Sequence, residues 1–131
     1  MCERFDGTLS AMSVTAPDFS KAPPRQGREM MGRYAWLARM ADKIRAEQAG
    51  TNDGYIGFCS LSKGFLERCG VSVDDFAALI ARGAADDELV QYFDEHVSAE
   101  KCASANHFVL DEKAESLAKQ DAEEGYAPAR A

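Results

Sequence analysis

A chain of 131 residues with 46% hydrophobic side chains is sized for one domain and holds enough apolar material for a single core. Its net charge of -7 at pH 7 argues against affinity for nucleic acid through phosphate neutralisation, and against an anionic membrane surface on the same ground. Four cysteines, Cys2, Cys59, Cys69 and Cys102, occur without an apolar run of signal-peptide or spanning length, so the sequence predicts free thiols in a reducing cytoplasm.

Residues 1–22 lack periodicity and read as an N-terminal tail, with Phe19 the best candidate to anchor it. Residues 23–124 read as one helical domain, and residues 125–131 as a C-terminal tail. The most informative run is Gly27 to Gly50. Pro23 and Pro24 precede it, Gly50 suits a left-handed C-terminal cap, and its interior is rich in Ala, Leu, Met, Arg and Lys. The sequence therefore predicts one long helix there.

Turned at about 100° per residue, that helix separates two faces. Met30, Tyr34, Leu37, Met40, Ala41 and Ile44 form the expected core stripe. Arg28, Gly32, Trp36, Arg39 and Lys43 share another arc, with three cations beside an indole. Arg offers a planar donor fork, Lys a mobile point charge, and Trp a flat wall, so this face is a candidate seat for a small anionic or aromatic molecule. The plainer reading is that carboxylates of other helices neutralise the cations. Charge placement agrees with it: residues 25–45 carry six basic side chains against Glu29 and Asp42, whereas residues 86–124 carry twelve acidic side chains against three lysines.

Asn52-Asp53-Gly54 signals a turn, and Tyr55, Ile56 and Phe58 follow as a short extended apolar piece, either a strand or a buried extended loop. A short helix over residues 61–69 is capped by Ser60 or Ser62 and ended by Gly70. Ser72 with Asp75 opens the next helix, whose stripe is Phe76, Leu79 and Ile80, and Gly83 closes it. Asp86, Asp87 and Glu88 sit at the positive end of a further helix buried by Leu89, Val90, Phe93 and Val97. Ser98 caps a last helix that begins near Ala99 and fades in the acidic C-terminal run.

Chemical motifs are sparse. His96, Cys102 and His107 are separated by six and five residues, without the tight pairs of a structural zinc site, and no metal is predicted. Cys59, at the start of a short helix, is a candidate nucleophile, with His96 or His107 as its base. Asp42 is a candidate proton carrier, although a helical ion pair with Arg39 or Arg45 is its plainer role. Tyr55 can bring a hydroxyl to a site. Phosphate loops and nucleophile elbows are absent, so no cofactor is predicted.

Pro24-Arg25, Gly32, Leu37-Ala38-Arg39-Met40, Asp42-Lys43-Ile44-Arg45-Ala46, Gly50 and Tyr55 resemble the signature of a bacterial family known only as a domain of unknown function. The match continues through Leu61, Phe65-Leu66, Gly70-Val71, Phe76, Asp86-Asp87-Glu88 and Tyr92, and covers roughly Asp18 to Val97. The resemblance implies a small, mainly helical, soluble domain and no established reaction. It draws attention to Arg39, Asp42 and Lys43. It does not reach the acidic last third of the chain.

The expectation is an all-α fold of about five helices around one core, with one short extended segment. The leading function is binding of a small anionic or aromatic ligand by Arg28, Trp36, Arg39 and Lys43. In an enzyme, Arg39 and Lys43 would hold the anion while Asp42, Tyr55 or Cys59 moved a proton or attacked. The alternative is a protein-interaction module or structural subunit, in a homo-oligomer or with another protein, using the acidic C-terminal helix. A ligand site needs Arg39 and Lys43 converging and unpaired in a concavity, and an interaction module needs them satisfied internally.

Overall fold

The computed structural model describes residues 15–126. They fold as an all-α domain: α1 (Leu37–Ala49), α2 (Ser60–Cys69), α3 (Val73–Ala81), α4 (Asp86–His96), α5 (Ala99–His107), a π-helical turn (Phe108–Glu112) and α6 (Ala114–Glu124). Several boundaries follow from local chemistry. Ser72 Oγ accepts the Asp75 N–H at 3.0 Å, and Ser98 Oγ accepts the Lys101 N–H at 3.2 Å, so each serine satisfies a free donor at a helix start. Glu88 reaches back to the Ala85 N–H at 2.8 Å and does the same for α4. At the ends of α1 and α2 the chain turns through a left-handed residue, Gly50 and Gly70, each with φ of 79°.

The core is one contiguous cluster, with α2 packed on α5 and α1 on α3. Phe93 lies within it, and Tyr34, Phe65, Phe76 and Tyr92 surround its ring at centroid distances of 5.3 to 6.2 Å. Phe19 is buried; its N–H donates to the Thr51 carbonyl at 3.0 Å and its ring meets Tyr55 edge-on at 5.0 Å. Residues 1–14 and 127–131, with Cys2 and Phe5, lie outside the described residues. Among the described residues no helix is long and apolar enough to cross a membrane.

The structure corrects three expectations. The long helix begins at Leu37, not near Gly27. Residues 27–36 form an irregular segment in which Met31 and Tyr34 exchange backbone hydrogen bonds, and Trp36 stands at φ 72°. Tertiary contacts override helix propensity here. The Ala35 N–H and the Arg33 carbonyl are taken by the Asn106 side chain on α5, and the Trp36 N–H donates to the Gly27 carbonyl at 2.7 Å. Gly27 is required by the indole: a Cβ there would stand 2.7 Å from Trp36 Cε3 and 2.6 Å from Leu117 Cδ2. Met30, assigned to the core stripe, is consequently 49% exposed.

Second, Tyr55 to Phe58 is a loop and not a strand, and it is not buried throughout, since Ile56 is 64% exposed. Third, the last predicted helix is broken into α5 and α6 by the π-helical turn. At the break Phe108 packs over Gly64, where a Cβ would lie 2.5 Å from its Cζ, and the Arg68 guanidinium stands 3.8 Å from the Phe108 ring centroid.

Candidate functional site

From Leu37 to Ile44 every side chain of α1 is buried, the charged ones included. A helix buried on all sides must have its ions neutralised or desolvated. Two groups of carboxylates do most of this. Asp42 accepts from the Arg25 backbone N–H at 3.0 Å, Nε at 3.0 Å and Nη2 at 2.9 Å, while Arg25 Nη1 and Arg45 Nη1 converge on Asp86 at 3.0 and 2.8 Å. Burial opposes ionisation of Asp86, but the two guanidinium groups outweigh it and hold its pKa below the usual aspartate value. On the other side, α6 supplies Asp121 to Arg28 and Glu124 to Arg39. Glu124 takes Arg39 in a two-pronged pair, Nη1 to Oε1 at 2.8 Å and Nη2 to Oε2 at 2.6 Å, and also accepts from the Tyr55 hydroxyl at 3.1 Å.

Lys43 is the exception. It is 5% exposed and, among the described residues, no carboxylate reaches it. Its ammonium donates to Cys59 Sγ at 3.6 Å and lies 5.5 Å from the centroid of the Trp36 ring. Burial lowers the Lys43 pKa, because the charged form loses hydration there. Cys59 occupies the N-cap of α2. Burial alone would push its thiol up; the Lys43 cation and the donors of Ser62 and Leu61 outweigh that and hold it below the ordinary value. Cys69 and Cys102 behave oppositely. Burial pushes Cys69 up to about 12 and also raises Cys102.

Beside this pair opens a cleft of about 490 Å³. Arg39 and Lys43 come to it from α1, Asp53, Gly54, Tyr55, Ile56 and Cys59 from the loop before α2, and Gln120, Glu123 and Glu124 from α6. Arg39 Nε and Gln120 Oε1 are buried without a hydrogen-bond partner. Burial and the nearby Glu124 carboxylate both raise the Tyr55 pKa, so its hydroxyl stays protonated and donates.

Four of the seven site residues read from the sequence therefore meet: Arg39, Lys43, Tyr55 and Cys59. The other three do not line the cleft. Arg28 precedes the helix and is bound to Asp121. Trp36 is fully buried, with its Nε1–H donating to Ser62 Oγ at 2.9 Å, so its ring backs the two cations instead of facing a ligand. Asp42 is spent on Arg25, not on Arg39 or Arg45 as helical spacing had implied. The expected histidine bases are elsewhere as well: His96 stacks on Tyr92 at 4.0 Å and His107 bonds Asp111 at 2.9 Å. Among the described residues no cluster of three His, Cys, Asp or Glu side chains could hold a metal ion. The α6 contribution was missed, and only the excess of acid in residues 86–124 hinted at it.

Fold and cleft together define, among the described residues, a small helical domain with a cleft between its central helix and its last one. Residues 21–130 match the model of a domain of unknown function, DUF5069, and the chain belongs to that family. The match runs well beyond Val97 and takes in α5 and α6, so the acidic last third is part of the family domain. No curated protein matches the chain.

Proposed function

We propose that the cleft binds a small organic molecule bearing a single carboxylate, with the Lys43 ammonium as its counter-ion and Tyr55 and Ile56 against its body. The observation that carries this reading is Lys43 itself, a cation nineteen-twentieths buried in a cleft wall with no carboxylate among the described residues. A buried ammonium without an ion partner costs several kcal/mol, of order, unless its charge is lost or matched. A ligand carboxylate would match it. The charge balance favours one anionic group over several. Arg39 is already neutralised by Glu124, and Asp53 and Glu123 add negative charge to the same cleft. The cavity volume suits a metabolite-sized ligand.

The interaction-module reading has less to rest on. Asp121 and Glu124 of the acidic last helix are committed to Arg28 and Arg39. Among the described residues the large exposed apolar side chains are Met30 and Ile56, which do not amount to a docking patch.

A thermal-shift screen tests the proposal. Benzoate, short aliphatic monocarboxylates and nucleoside triphosphates are compared on the wild-type chain and on Lys43→Met. Monocarboxylates are expected to raise the wild-type melting temperature by mass action and to lose that effect in the variant. An equal shift in both proteins, or a larger shift with the triphosphates, would contradict it.

A further inference from the structure

We infer that Cys59 is a nucleophile for soft carbon electrophiles, adding to a carbon–carbon double bond conjugated to a carbonyl while Lys43 manages the proton. The inference deepens the cleft reading and rests on it for the substrate class: a small conjugated carbonyl compound, bearing the single carboxylate already argued for.

The geometry supplies each part. Cys59 Sγ lies on the cleft wall, 3.6 Å from Lys43 Nζ and 3.7 Å from Ser62 Oγ. As the N-cap of a ten-residue helix it also faces the positive end of the α2 dipole. Lys43 is the independent pointer to a ligand. Its ammonium carries three N–H donors, and among the described residues the sulfur is its one hydrogen-bond acceptor. Arg39 and Gln120, whose buried Nε and Oε1 have no hydrogen-bond partner, also line the cleft. No histidine is near, so the Lys43 ammonium is the group placed to stabilise the thiolate and to donate a proton to the adduct.

The step balances without a leaving group, oxidant or second reactant. The thiol gives up its proton to solvent beside the Lys43 ammonium, giving a thiolate–ammonium pair. The conjugated carbonyl oxygen accepts a hydrogen bond from that ammonium at about 2.9 Å. The β carbon can then stand about 3–3.5 Å from sulfur, a near-attack distance. The S–C bond forms, the π pair moves to the α carbon as an enolate, and the enolate takes the proton from Lys43. The product is the saturated thioether, and the lysine regains its proton from solvent and returns to the ammonium. A carbonyl-conjugated alkene matches this site better than an ester or amide. Acyl transfer would need a second set of donors for the oxyanion, whereas the Ser62 and Leu61 donors already serve the sulfur.

Two probes test it by peptide mass spectrometry: N-ethylmaleimide, which is neutral, and 3-benzoylacrylate, which carries an enone and one carboxylate. At pH 7 both are expected to label Cys59 at least about tenfold faster than Cys69, whose thiol burial pushes up to about 12, one pKa unit being tenfold in thiolate fraction, and faster than Cys102. The pH–rate midpoint at Cys59 should move upward in Lys43→Met and return towards wild type in Lys43→Arg, which keeps the charge; circular dichroism confirms that each variant is folded. Labelling of Cys59 no faster than Cys102, or a midpoint indifferent to Lys43→Met in a folded variant, would overturn the inference. The neutral probe separates the two proposals. Rapid N-ethylmaleimide labelling supports the nucleophile even if 3-benzoylacrylate shows no saturation and no competition by benzoate, a result that would count against the carboxylate site alone.

Discussion

Arg39 and Glu124 join the central helix to the last turn of the chain's final helix through two charge-assisted hydrogen bonds, with side chains only 2% and 7% exposed. A buried pair of this kind couples two elements that are distant in sequence. It also decides what the cleft can bind, because it withdraws one of the two cations on the wall from any ligand.

Removing one partner should therefore be costly. Glu124→Ala leaves the Arg39 charge buried and also removes the acceptor of the Tyr55 hydroxyl. The expected loss is about 3–5 kcal/mol, seen as a lower midpoint in urea unfolding. The double variant Arg39→Met with Glu124→Leu should recover most of that loss, since it removes both charges. A double variant as unstable as Glu124→Ala would mean that the pair contributes more than mutual neutralisation.

Acid should act through Asp86. Its pKa is lower in the folded chain than in the unfolded one, so the folded state binds fewer protons across that interval. The stability it contributes is present above the unfolded value, about 3.9, and is lost as pH falls through the folded value. Melting temperatures taken from pH 6 down to pH 2.5 should decline below about pH 4 in the wild type. In Asp86→Asn the curve should start lower and fall less over that range. Parallel curves would rule out this carboxylate as a source of acid sensitivity.

The seat of Trp36 gives a packing prediction. Ser62 Oγ accepts the indole N–H at 2.9 Å and donates to the Gly57 carbonyl at 2.9 Å. Ser62→Ala strands a buried donor and should cost about 1–3 kcal/mol. Gly27→Ala drives a methyl group into the indole and Leu117 and should cost a similar amount, about 1–3 kcal/mol, by overpacking. Both variants should also alter tryptophan emission, since the chain has one tryptophan. Unchanged stability in Gly27→Ala would contradict the tight seating of the ring.

The sequence disclosed most of what depends on local chemistry. The serine caps at Ser72 and Ser98, the glycine stops at Gly50 and Gly70, and the stripe from Phe76 to Ile80 are all where spacing put them. The ladder of Arg28, Trp36 and Arg39 was misleading for a physical reason. Periodicity assumes a continuous helix, and the segment before Leu37 instead gives its backbone groups to Asn106, seventy-one residues away from Ala35. The cleft was half legible. Arg39 and Lys43 fall out of helical spacing, and Tyr55 and Cys59 follow from their place in the next loop. Gln120, Glu123 and Glu124 come from the far end of the chain, where nothing in the local pattern marks them as neighbours of Lys43.

The most direct test of the carboxylate site is a crystal structure of the chain grown with benzoate. The carboxylate is expected within about 3 Å of Lys43 Nζ, with the ring against Tyr55 and Ile56. Benzoate bound elsewhere on the domain, or a carboxylate of this chain seated on Lys43 in its place, would contradict it.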